Sequence, residues 1–202
     1  MRIIAGTKKG MNLFSPKGSV SRPITDRIKE SLFNVLWNYS FPENKIAADL
    51  FSGVGSLGLE ALSRGAAFVT FVEKDPAIAA VLKKNIEKAG FAENSKVLRA
   101  NAFKVGAPAG PDDQKYDLIF VDPPYRLSAK ADETSPLSNL MTLLTEQLSP
   151  DGIVVVRVEG CTELQRQYGR LQTIDNRRWG SMTISIFKQA KDDKQTGSDT
   201  NN

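Results

Sequence analysis

The chain has 202 residues, 41% of them hydrophobic and 8% aromatic, with a net charge of +4 and a single cysteine, Cys161. That length and apolar content suit one core-bearing domain; no run reaches the about 18 apolar residues of a membrane span, and a lone cysteine excludes an intrachain disulfide. Histidine is absent, which removes Ser-His-Asp and Cys-His catalysis and every histidine-ligated metal site, so no metal is expected. Chemistry here must run on carboxylates, amides, hydroxyls, backbone groups or an organic cofactor. The amino terminus has no apolar leader, and a cytoplasmic location is expected.

In chain order, Arg2–Ile4 and Met11–Phe14 flank a Gly6–Gly10 turn and predict a hairpin. A Pro, Gly and Ser-containing loop follows. Thr25 can cap a helix from Asp26 to about Asn38, with Ile28, Leu32, Val35, Leu36 and Tyr39 on one face. This arm is basic: Arg2, Lys8, Lys9, Lys17, Arg22, Arg27 and Lys29 outnumber Asp26 and Glu30. Such a balance favours a polyanionic partner or a solvated face.

The rest alternates strand and helix. Strands are predicted at Ile46–Phe51, Phe68–Val72, Val97–Arg99, Tyr116–Val121 and Ile153–Val158. Helices follow the first strand (through Arg64), Asp75-Pro76 (closed by Gly90) and Ser135-Pro136 (through Leu148). A short helix is predicted at Glu163–Tyr168. Leu171–Asp175 and Met182–Phe187 form an edge hairpin linked through Arg177, Arg178, Trp179 and Gly180. The pattern is a doubly wound α/β sheet with one reversed strand.

Two stretches carry chemistry. Asp49-Leu50-Phe51-Ser52-Gly53-Val54-Gly55-Ser56-Leu57-Gly58 joins the first strand to its helix and contains the G-x-G-x-x-G pattern. Gly53 and Gly55 allow a ligand close to the backbone. Asp49 fits a ligand bearing an amine or sulfonium better than a phosphate, or else it braces the loop. Glu73 ends the second strand, where a carboxylate can accept both ribose hydroxyls. Val72 or Lys74 could lie against an adenine, Asn101 could pair with its edge, and Phe103 could stack on it. Asp122-Pro123-Pro124-Tyr125 ends the fourth strand, at the edge where open α/β sheets bind ligands. An acid, a rigid carbonyl and an aromatic ring suit a flat, amine-bearing base. Arg126–Thr134 reads as a mobile lid or an idle loop.

The chain resembles the bacterial 16S ribosomal RNA (guanine966-N2)-methyltransferase family. The resemblance rests on MRIIAGTKKGMNL, RPITDRIKESLFNVL, DLFSGVGSLGLEALSRGA, FVEKD, VDPPY and RRWGSMTISIF, and departs at Ile24, where Thr is usual, and Trp179, where Tyr is usual. It implies a seven-stranded, mostly parallel S-adenosylmethionine-dependent domain over 41–188 and an RNA-binding hairpin and helix extension over 1–40; the polar composition of 189–202 predicts a disordered tail. By the same resemblance, Asp49, Phe51, Ser52, Gly53 and Gly55 hold the methionine part of the cofactor. Glu73 lies at the ribose, Asn101, Ala102 and Phe103 at the adenine, and Asp122 to Tyr125 at the target guanine; Lys74, beside Glu73, is the further cofactor contact expected. Arg2, Lys8, Lys9, Arg22, Arg27, Arg177, Arg178 and Trp179 are candidate RNA contacts. The implied partner is 16S rRNA in the small subunit or its assembly intermediate, met by a monomer. A DNA adenine or cytosine amino-methyltransferase, a non-catalytic RNA-binding assembly protein and an NAD-dependent oxidoreductase remain as alternatives.

Overall fold

Runs such as Leu118-Ile119-Phe120-Val121 are apolar on both sides of the strand, so they need helices on both faces of a sheet. In the computed structural model, which describes residues 1–16, 24–108, 110–128, 132 and 134–190, they receive them. After α1 (Asp26–Asn38), the body runs β1 (Ile46–Leu50), α2 (Gly58–Ser63), β2 (Phe68–Val72), α3 (Pro76–Ala89), β3 (Ser95–Leu98) and α4 (Ala102–Val105). It continues with β4 (Tyr116–Val121), α5 (Tyr125–Ser128), α6 (Pro136–Gln147) and β5 (Leu148–Glu159), then closes with β6 (Gln167–Tyr168), β7 (Leu171–Trp179) and β8 (Met182–Gln189).

The strands form one sheet of eight in the order β3-β2-β1-β4-β5-β8-β7-β6. β1 to β5 pair in parallel, and β8 enters antiparallel to β5. The seven anticipated strands are present; the eighth, β6, is a two-residue edge strand on β7. It replaces the helix expected at Glu163–Tyr168. Gly169 adopts φ 55°, which turns the chain back so that Tyr168 pairs with Leu171, and strand pairing wins over a weak local helix preference. The link expected at Arg177–Trp179 is also strand, because β7 stays paired with β8 as far as Trp179↔Met182. The hairpin turn is only Gly180-Ser181, and β8 lies inside the sheet rather than at its edge.

Alternation along each strand sorts side chains into two cores. Ala47, Phe71, Phe120 and Val155 face α1, α2 and α3, whereas Leu50, Val121 and Val156 face α4 and α6. Thr25 caps α1 through its side chain, and Leu32, Val35 and Leu36 are buried as expected. Tyr39 is exposed, because it stands beyond the last helical turn as the carboxyl cap. Asp75 caps α3 with two hydrogen bonds, and Gly90 ends it in the left-handed conformation.

The amino-terminal arm folds back as a loose hairpin, with the Ile3 N–H donating to Met11 O and Gly10 N–H to Ile3 O. Glu60 of α2, fully buried, accepts the N–H groups of Ile4 and Ala5. Ile3 and Leu13 join the same apolar cluster as α1 and α2. Gln189, where a tail was expected to start, is still in β8, and residues 191–202 lie outside the described residues.

Candidate active site

The chain order β3-β2-β1-β4 reverses direction between β1 and β4, which is where open α/β sheets bind ligands. Three backbone bonds carry pairing beyond the strand ends. Ser52 N–H donates to Val72 O, Glu73 N–H to Leu98 O and Asp122 N–H to Leu50 O. The glycine turn, Glu73 and Asp122 are thereby brought together at one sheet edge.

The side chains follow from alternation. On the face that carries Ala47, Phe71, Phe120 and Val155, the next residues outward are Asp49, Glu73, Asp122 and Arg157. Each apolar row therefore ends in a charge at the same edge. By register Asp49 lies one alternation further inward, level with Phe71 and Phe120, while Val121 opposite Leu50 and Val156 sets Asp122 and Arg157 level with each other just beyond.

Asp49 is 2% exposed and accepts the Gly58 N–H at 2.8 Å, so it braces the start of α2. Burial pushes its carboxyl up to about 7 against the pull of that N–H, and the negative Asp122 and Glu73 raise it further. Glu73 accepts the N–H groups of Gly53 (3.0 Å) and Asp75 (2.8 Å). Those bonds lock the turn and leave each oxygen a second lone pair for a hydroxyl.

The glycines divide by role. A Cβ on Gly53, at φ 54°, would meet nothing within 4 Å, so this position opens to a ligand. A Cβ on Gly55 would lie 2.6 Å from Leu82 Cδ1, and one on Gly58 2.3 Å from Phe71 Cε1. Gly58 lets α2 lie against the sheet, and Gly55 lets α2 and α3 pack against the turn. Phe51, beside Gly53's turn, holds φ 60°, an uncommon conformation for an aromatic residue. Its ring meets Phe103 with centroids 4.7 Å apart. Asn101 spends its oxygen capping Phe103 N–H, Ala102 is buried, and Lys74 is exposed beside Glu73.

Of the tetrapeptide, Pro123 is buried, Pro124 is exposed and Tyr125 is half-buried. The residue that sequence reading missed is Arg157 of β5. Its Nε donates to Asp122 Oδ1 at 2.5 Å, with the two side chains 11% and 18% exposed. Burial raises the Asp122 carboxyl, and the charge and hydrogen bond of Arg157 oppose that rise. A lone Arg among Ile153, Val154, Val155, Val156 and Val158 was the available signal, because a buried guanidinium demands a partner.

Buried polar atoms without partners gather at this edge: Ser52 Oγ, Tyr125 OH and Arg157 Nη1 follow or end β1, β4 and β5. Three carboxylates, an open glycine and unsatisfied donors fit a cationic, hydroxyl-bearing ligand such as S-adenosylmethionine. A pyrophosphate would meet repulsion there. Among the described residues, no group of three or more His, Cys, Asp or Glu is placed to hold a metal ion, and no helix is long and apolar enough to cross a membrane.

The candidate RNA contacts lie on the amino-terminal arm, α1 and β7, and Lys8 stands at the carboxyl ends of α2 and α3, away from the catalytic edge. Arg2 pairs with Asp26 at 2.7 Å, Lys8 sits over the Phe91 ring, and Lys9 and Arg27 are exposed. Arg22 lies outside the described residues, as do Lys17 and most of the 129–133 stretch. Lys29 joins the basic arm to the glycine turn, its Nζ lying 3.5 Å from Ser56 Oγ. On β7, Arg177 is level with Arg157 through Ile184, two strand spacings or about 10 Å away. Arg177 grips Asp175 with two nitrogens, Arg178 donates to Gly180 O, and Trp179 is half-buried against the α1-side core.

Sheet order, glycine turn and acid-tipped strand edge define a Rossmann-like domain of the methyltransferase class. The family model described as "Conserved hypothetical protein 95" matches residues 1–188, and the chain belongs to that family. The YlbH protein of Bacillus subtilis (strain 168) is 33% identical over 191 residues, covering 94% of this chain and 99% of that one. "Ribosomal RNA small subunit methyltransferase D" of Haemophilus influenzae is 35% identical over 163 residues, 79% of each chain. The solved structure of the yhhF protein of Escherichia coli superposes with a TM-score of 0.77 at 31% identity, over 94% of this chain and 97% of that one. The resemblance drawn from the sequence motifs therefore holds.

Proposed function

We propose that this protein transfers a methyl group from S-adenosylmethionine to the exocyclic N2 of a guanine in 16S ribosomal RNA. The observation that carries the reading is Asp122, level with the glycine turn and on the same face as Asp49 and Glu73. Family relatives named as small-subunit ribosomal RNA methyltransferases favour RNA over DNA and transfer over mere binding. The acidic turn disfavours a dinucleotide.

The amine of guanine is a poor nucleophile because its lone pair is delocalised into the ring. Asp122 and the Pro123 carbonyl accept its two N–H bonds, which favours a more tetrahedral nitrogen with its lone pair directed at the donor. Tyr125 fixes the plane of the base by stacking. S-Adenosylmethionine, when bound, supplies the electrophile: a methyl carbon whose bond to sulfur breaks with its electron pair staying on sulfur. Gly53 and Asp49 hold its methionine part, Glu73 its ribose, and Asn101 to Phe103 its adenine. After transfer the nitrogen loses a proton through Asp122 to water. The help is chiefly positioning and electrostatics, which is why no histidine is needed.

The base must be unstacked to reach this edge. Arg2, Lys8, Lys9 and Arg27 of the arm and α1, with Arg177 and Arg178 of β7, contact RNA phosphates, and Trp179 stacks on a base. The protein works in the cytoplasm, as a monomer, on the small subunit or an assembly intermediate.

The test is methyl incorporation into small-subunit rRNA from a strain lacking this activity, with the product nucleoside mapped by mass spectrometry. N2-methylguanosine formed by the native chain and lost in Asp122→Ala supports the reading. Normal incorporation by Asp122→Ala ends it.

A further inference from the structure

We infer that Arg157 is a positioning residue for the transfer, holding Asp122 charged and in one rotamer so that its second oxygen receives the target amine. The inference rests on the function proposed above and deepens it. Arg157 is 9% exposed, in a row that is otherwise apolar: Ile153 and Val155 precede it and Ile184 stands beside it on β8. Its Nε takes Asp122 Oδ1 alone, and among the described residues Oδ2 has no hydrogen-bond partner.

A purely structural bridge would use the bidentate fork that guanidinium and carboxylate favour. Arg177 and Asp175 make such a fork on the same sheet. Arg157 does not: only its Nε reaches Asp122, and its Nη1, on the side of the guanidinium away from that bond, is buried with no partner. The single bond keeps one carboxylate oxygen unclaimed.

The charge matters as much as the grip. Asp122 faces the carboxyl of Asp49 on β1, which is itself pushed up by burial, by Asp122 and by Glu73 from β2. Arg157 from β5 is the cation that opposes burial at Asp122. Without it, Asp122 would be protonated at higher pH, and a protonated carboxyl would offer the amine a competing donor.

The experiment measures kcat and KM from pH 5 to 9 on rRNA particles lacking the modification. It compares the native chain with Arg157→Gln, which keeps an N–H donor but no charge, and Arg157→Lys, which keeps the charge. Support is a kcat for Arg157→Gln lower by about tenfold or more at pH 7, partly recovered at high pH as the acid limb moves up about one unit, with KM within about twofold. Arg157→Lys should keep the native acid limb. Native kcat and profile in folded Arg157→Gln, or a loss with no pH dependence, overturns the inference. Should the Gln variant fail to fold, Arg157→Lys decides: a native limb supports it and an upward-shifted limb overturns it. Asp122→Asn measured alongside separates the two ideas. Full transfer by Asp122→Asn sinks the proposed mechanism, whereas an inactive Asp122→Asn with a native Arg157→Gln sinks only the role of Arg157.

Discussion

Lys29 of α1 and Glu60 of α2 meet at 3.4 Å with side chains 1% and 0% exposed. Around this pair the amino-terminal arm is attached to the catalytic body. Lys29 also donates to Arg2 O, while Glu60 also receives Arg64 Nε and the N–H groups of Ile4 and Ala5. Burial lowers the Lys29 pKa, and Glu60 pulls it back.

Glu60→Ala should therefore cost more than an ordinary core truncation. It strands a buried ammonium and two backbone donors, a loss of about 3–5 kcal/mol. For a chain of this size that is a fall in Tm of roughly 6–20 °C. The double variant Lys29→Met/Glu60→Leu removes both charges and should melt above Glu60→Ala. Thermal unfolding of the three proteins checks this. Equal midpoints for Glu60→Ala and the native chain would show that the pair holds nothing.

The three glycines of the turn should separate binding from folding. Gly58→Ala drives a methyl into the Phe71 ring, and Gly55→Ala drives one into Leu82 at φ 92°. Each should lose about 1–3 kcal/mol of stability from overpacking. Gly53→Ala meets no atom within 4 Å and should lose only the about 1–2 kcal/mol of a left-handed alanine. Its affinity for S-adenosylhomocysteine, by calorimetry, should fall more than that of Gly58→Ala. The reverse order of affinities would contradict the assignment of Gly53 to the ligand side.

Much of this architecture was legible. Thr25, Asp75-Pro76 and Ser135-Pro136 announce their helices because capping is local chemistry, and each caps where expected. Phe68–Val72 and Tyr116–Val121 match observed strands because continuous β-branched and aromatic runs have few other uses. What escaped was nonlocal. The half of β7 beyond Asp175, where the strand was expected to end, is exposed or intermediate throughout, so only its pairing with β8 identifies it. The Arg157–Asp122 pair spans 35 positions, and no periodicity links the two. The Lys29–Glu60 pair hid for the same reason: each residue reads locally as a surface charge on a helix.

Tyr125 offers a clean division between ring and hydroxyl. Its OH is buried without a partner, so the proposed stacking role needs only the ring. Tyr125→Phe should keep native transfer and melt no lower than the native chain, since it removes an unsatisfied group. Tyr125→Ala should lose about 1–3 kcal/mol of base stacking, read as a drop in kcat/KM of roughly tenfold or more. A Tyr125→Phe variant as impaired as Tyr125→Ala would assign the hydroxyl, rather than the ring, to the chemistry.

Asp49 should make the protein less stable as pH rises. Its folded carboxyl titrates at about 7, whereas in an unfolded chain an Asp titrates near ~3.9. Between those values the folded state holds a proton that the unfolded state has released. Stability therefore falls with rising pH across that window and levels off above it. The full swing is on the order of 4 kcal/mol from this group, and Asp122, raised in the same direction, adds to it. Asp49→Asn can still accept the Gly58 N–H but cannot ionise. Its denaturation midpoint should match that of the native chain near pH 4 and exceed it at pH 8. The same variant should bind S-adenosylmethionine more weakly at pH 8, because the charge that destabilises the empty turn is the one that answers a cationic ligand. Parallel stability curves for the two proteins, together with unchanged affinity, would mean that Asp49 is only a brace for α2.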